Sequence, residues 1–282
     1  MSPRTTSRFV SAVRSALTVW WVQWLLGIAA VVLALLPWLT AEPGIQATAG
    51  QEAATSLLPL ASKKPHLLFL MGGASALLTG LGTRLLANRR GRCAVLCGLG
   101  LLTGWTAATY QSWTVLRTAA LDVEQLGVHL GLTLSMVVGV LVLHAGLSLA
   151  PLGGFSIALA VLSLMPGCWL GEVLAVDAVQ THLDFLGPIM LGIALGYLGF
   201  ARGSALLLWC AALLVQWIMP AVLSVAASFS SSAEDLRSPN HLWAVGREQL
   251  LQLHHVYLGL GTLATAMLLS VILLFVRRAR HR

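Results

Sequence analysis

Charge is what this sequence has least of. Only 10% of its 282 residues are Asp, Glu, Lys or Arg, whereas 57% are hydrophobic, and the mean hydropathy is +0.84. A soluble domain of this length needs far more charged surface, so a soluble enzyme or binding module is excluded. Lysine is nearly missing: Lys63 and Lys64 are the only two, and every other basic residue is arginine. The net charge of +7 is therefore no nucleic-acid signature. Its arginines gather in the N-terminal tail, one short loop and the C-terminal tail, the pattern of cytoplasmic flanks in a membrane protein. No nucleic-acid partner is expected. Cysteine is sparse too. Cys93, Cys97, Cys168 and Cys210 sit in apolar surroundings, with no spacing for a disulfide framework or a zinc site, and read as small buried hydrophobes. Missing as well are a Walker loop, a dinucleotide fingerprint, a zincin histidine pair and a Ser or Cys nucleophile with a partner. The first apolar run, residues 17–40, is too long for a cleavable signal peptide and lacks a small-residue cleavage site, so it is expected to remain as a span.

What the chain has in abundance is apolar windows of about 20 residues, the length that crosses a bilayer as helix. Eight are expected: 17–40, 66–86, 93–110, 124–150, 155–176, 182–201, 204–229 and 248–276. Trp20, Trp21 and Trp24 open the first as an aromatic belt, and Pro151-Leu152-Gly153-Gly154 and Arg202-Gly203 turn the chain between later ones. Arg89, Arg90 and Arg92 in the loop 87–92, with the arginines of both tails, predict both termini in the cytoplasm and the polar segment 230–247 outside. The expectation is one all-α, multi-pass domain over residues 1–282 of a cell membrane, with the lipid bilayer as its partner.

The chain also looks duplicated. LALLPWLTAE in the first span resembles VLSLMPGCWLGE in the fifth, and His66 and His182 open the second and sixth. Glu-Gln-Leu opens the fourth at Glu124 and the eighth at Glu248. Pseudo-repeats over about 17–150 and 155–276 would form two four-helix bundles, related by an axis along the membrane normal.

Four histidines, His66, His129, His182 and His254, each begin an even-numbered span and so share one membrane face. One histidine at a span end is an ordinary interfacial residue. Four at equivalent depth, two per repeat, point to metal or haem ligation, since haem iron takes axial imidazoles from helices on opposite faces of the ring. Gly72, Gly73, Gly127, Gly131, Gly187, Gly259 and Gly261 nearby leave room for a flat macrocycle, or simply let helices approach closely. Lys63, Lys64, Arg117, Arg237 and Arg247 in the outer loops either pair with haem propionates or are solvated loop residues. His144, His241 and His281 receive no role.

With VHLGLTLSMVVGVLVL in the fourth span, THLDFLGPIMLGIAL in the sixth, LLVQWIMPAVLS (containing Gln216) in the seventh and LHHVYLGLGTLATAML in the eighth, nearly the whole chain resembles the heme A synthase family of cytochrome oxidase assembly. The resemblance implies eight spans in two four-helix halves and oxidation of the haem o methyl group toward haem a. It implies His66 and His129 as metal ligands in the half that takes haem o as substrate. His182 and His254 would ligate a resident haem b, with His255 competing for the last position. Haem o synthase and cytochrome oxidase assembly proteins are the partners it suggests. The chain departs from the family at its second-span signature, Glu-x-x-His-Arg, which here reads Lys63-Lys64-Pro65-His66-Leu67. It also lacks the cysteine pair of the first outer loop. Lys63 cannot supply carboxylate chemistry, so no catalytic residue is assigned; Glu52 and Glu124 are the carboxylates at hand. Two other readings stand beside this one. The first is a non-catalytic bis-histidine haem protein. The second is a cofactor-free transporter or scaffold, in which Pro166-Gly167 and Pro220 would break helices at mid-membrane.

Overall fold

In lipid, every backbone N–H and C=O must be satisfied within the protein, and a lone apolar segment manages this only as a helix. A computed structural model describes residues 19–41, 56–59, 66–87, 89–118, 123–174, 182–199, 203–228 and 239–280. Among these residues there are ten helices and no strand. They are α1 (Trp20–Ala41), α2 (His66–Leu86), α3 (Arg90–Thr118), α4 (Val123–Leu149), α5 (Leu152–Leu162), α6 (Met165–Leu174), α7 (Leu186–Leu198), α8 (Gly203–Ser228), α9 (Pro239–Leu250) and α10 (Leu253–Arg280).

Six of them, α1 to α4, α8 and α10, are long and apolar enough to cross a membrane, and α5 with α6 makes a seventh crossing if the bent pair is one span. Large apolar side chains such as Leu207, Leu268 and Phe275 lie exposed on these helices, as a lipid-facing surface requires. The protein is an all-helical, multi-pass membrane protein. The sixth expected span, 182–201, differs from the expectation. Its helix α7 has 13 residues, about 20 Å at 1.5 Å per residue, against a hydrocarbon core of about 30 Å. His182 and Leu183 form a separate helical turn, and Asp184-Phe185 interrupts it before α7 begins. Pro188 then falls in the first turn of α7, where a missing N–H is harmless. Gly199 ends the helix at φ +75° and ψ 179°, a backbone conformation open essentially to glycine alone.

The other break has a proline cause. α5 bends by 41° into α6. Pro166 is the second residue of α6, and a continuous helix would drive its ring into the carbonyl of Leu162. Pro220, by contrast, is carried inside α8 without ending it. Near the C-terminus, Glu248-Gln249-Leu250 closes α9 rather than opening the last span. Tight-turn bonds from Leu251 N–H to Glu248 O (3.2 Å) and Gln252 N–H to Gln249 O (3.2 Å) separate the two helices.

The chain forms two compact units, one of residues 1–62 and 71–150, the other of residues 63–70 and 151–282. In the first, α3 packs along both α1 and α4. Gly27 and Gly100 allow the closest approach, since a Cβ on Gly27 would meet the Cys97 carbonyl and one on Gly100 the Trp24 carbonyl. In the second, α7 lies along α10, α5 packs on α7 and α8, and α9 packs on α8.

Candidate functional site

Within the second unit the two breaks meet. A Cβ on Gly187 would collide with the Ser163 carbonyl, and one on Gly167 with the backbone of Leu183 and Asp184. Two interrupted helices thus cross backbone to backbone at their interruptions. Beside them is a cavity of about 420 Å3 lined by Leu164, Cys168 and Glu172, by Asp184 of the turn, by Pro220 and Ser224 of α8, and by His254, His255 and Leu258 of α10. Leu70 and Leu223 complete its apolar wall.

The two histidines differ in kind. His254 is half exposed, with Nε2 3.5 Å from Asp184 Oδ2. His255 has both ring nitrogens buried and no hydrogen-bond partner for either. A neutral imidazole carries one donor and one acceptor, and burying both unmade costs on the order of 1–3 kcal/mol each. Their rings meet edge to face at 5.9 Å. Consecutive helical residues point about 100° apart at 3.6 residues per turn, so the two rings leave α10 in different directions. A turn below Pro220, Gln216 Oε1 accepts the Thr262 hydroxyl at 3.0 Å while its buried Nε2 has no partner.

The structure brings His254 and His255 to one cavity together with Asp184, and it does not bring His182 there. His182 is exposed. His129, in the other unit, is half-buried with Nδ1 unpartnered, and its carbonyl accepts the Thr133 hydroxyl at 2.8 Å. The side chains of His66 and Glu124 lie outside the described residues, as do Glu52, Lys63, Lys64 and Arg237; Arg117 and Arg247 are exposed. Among the described residues no group of three or more His, Cys, Asp or Glu is arranged to hold a metal ion. The cavity's two lining histidines, His254 and His255, are neighbours on α10, and its lining includes no histidine from a facing helix.

One residue passed over in the sequence is deeply engaged. His144 in α4 is 3% exposed, and its Nε2 donates to the Ala94 carbonyl of α3 at 3.0 Å. A carbonyl only accepts, which places the ring proton on Nε2 and leaves Nδ1 to take the Thr79 hydroxyl of α2 at 2.9 Å. Trp105 Nε1 donates to Ser75 Oγ at 3.2 Å beside it. Arg84 closes the end of α4, donating to the carbonyls of Leu147 (3.1 Å) and Ala150 (2.9 Å). The signal was in α2, where Ser75, Thr79 and Thr83 form a polar stripe at four-residue spacing, one face of a helix. No protein-family model, no characterised protein and no solved structure matches this chain.

Proposed function

We propose that this chain is a haem-binding membrane protein of the heme A synthase type, and that the cavity of its C-terminal unit takes the resident haem b. The observation that carries the reading is His255, an imidazole with two unmade hydrogen bonds at the wall of a largely apolar cavity. His255 would hold the iron of a haem through one ring nitrogen, relieving part of the cost of burying that atom unpartnered. Asp184 Oδ2 lies 3.5 Å from His254 Nε2 at the cavity mouth. In this reading the interrupted segment from His182 to Gly199 makes the eighth crossing, with two four-helix halves and cytoplasmic termini. Oxidation of haem o, with His66 and His129 holding that substrate, is supported by the four resembling segments alone.

The full-length chain purified in detergent is expected to show a Soret band, and a featureless spectrum after haem addition would contradict the proposal. Haem extracted from cells that make haem o should contain haem a or its hydroxylated precursor only when this chain is present. Unchanged haem o beside bound b-type haem would point to the non-catalytic relative.

A second reading has its own support. Two interrupted helices crossing at their breaks, beside a cavity carrying Glu172 and Asp184, is the arrangement by which transporters expose backbone and carboxylates to a solute. The absence of a Soret band would favour it.

A further inference from the structure

Cys93 and Cys97 take no part in that reading. They stand one turn apart on α3, both buried, with their sulfurs 3.9 Å apart. The Thr83 hydroxyl is 3.8 Å from Cys93 Sγ, and the Cys97 thiol donates to the Gln23 carbonyl at 3.1 Å. Both cysteines line a second cavity, of about 250 Å3, whose other walls are mostly aliphatic side chains of α1 and α2. Two thiols in contact that open onto a cavity are more than small hydrophobes filling a helix interface.

We propose that Cys93 and Cys97 form a two-thiolate site for a soft monovalent cation, Cu(I) or Ag(I). Two sulfurs bound in line to one ion at about 2.3 Å, the metal–thiolate distance of zinc, would lie about 4.6 Å apart, so the pair at 3.9 Å has to open by less than about 1 Å. Thiolates select soft ions. Calcium and magnesium require a full set of oxygen ligands, and among the described residues lining the cavity only the side chains of Thr79 and Thr83 carry an oxygen. A structural zinc site takes four ligands, and this pair supplies two. The binding step balances without redox chemistry. Each thiol releases one proton, the two sulfurs bind the ion, the metal stays monovalent, and the Cys97–Gln23 hydrogen bond is lost. The complex carries one net negative charge at the N-terminal end of a 29-residue helix, beside Arg89, Arg90 and Arg92. The partial positive charge of that helix end offsets part of it.

The test titrates Cu(I) anaerobically into the reduced, full-length chain against a chromophoric Cu(I) chelator. One equivalent should be retained, with a sulfur-to-metal band in the ultraviolet. Cys93→Ser and Cys97→Ser should each weaken binding by roughly 10-fold or more, because losing even an outer-shell partner of a ligand costs about 10–100-fold. Cys168→Ser and Cys210→Ser should behave as the unaltered chain. Equal binding by the Cys93→Ser/Cys97→Ser double variant would overturn the proposal, as would loss that follows Cys168 or Cys210. Should the serine variants not fold, X-ray absorption of the loaded, unaltered chain decides. Two sulfur neighbours support the site, and nitrogen or oxygen neighbours alone refute it.

Discussion

Single residues here divide into those whose polar groups are satisfied and those whose groups are not. His144 is of the first kind, tying α4 to α2 and α3 through both ring nitrogens. Replacing it with alanine removes two buried hydrogen bonds and leaves a void. We expect His144→Ala to destabilise the protein by about 2–4 kcal/mol, read as a lower thermal midpoint in detergent, with any haem spectrum unchanged in the folded fraction. A midpoint equal to that of the unaltered chain would show that the network does not hold the unit together. His255 is of the second kind, and the sequence alone does not separate it from His254. Both begin the same apolar run, and which ring turns inward depends on the phase of α10 and its starting point at Leu253. That start is set by the turn at Leu251-Gln252, inside a run whose Glu-Gln-Leu opening reads as the beginning of the span.

Helices were legible where apolar length decides and illegible where a break does. α1 to α4, α8 and α10 follow from hydropathy, because about 20 apolar residues have little choice but helix in lipid. The bend before Pro166 was readable from the proline, whereas the break at Asp184-Phe185 was not. Only the run after it is apolar, Leu183 adjoins it without a turn signal, and the backbone of the α5–α6 bend, distant in sequence, packs against it. Glycines separate these packing effects from helix propensity. Gly187→Ala would set a methyl group against the Ser163 carbonyl and is expected to abolish or sharply lower the yield of monodisperse protein on size exclusion. Gly131→Ala faces open space in α4 and should be neutral or stabilising by up to about 1 kcal/mol. Equal yields from the two variants would show that the helices do not cross backbone to backbone.

Across the whole molecule, the sequence established the class and left the count of spans open. Six apolar helices and one bent pair are evident, and the segment from His182 to Gly199 is too interrupted for length alone to make it a crossing. Orientation rests on the arginines, which favour the cytoplasmic side. In a cysteine-free background, a membrane-impermeant thiol reagent applied from outside should label a cysteine at position 231 and not one at position 88. The reverse result would invert the molecule and move its histidines to the other face. Haem binding through His255 in the α10 cavity of the C-terminal unit is tested most directly by one measurement. This is the reduced-minus-oxidised spectrum of purified full-length protein compared with His255→Ala and His254→Ala. His255→Ala should remove or shift the haem signal, and His254→Ala should leave most of it. A signal unchanged in His255→Ala would contradict haem binding through His255.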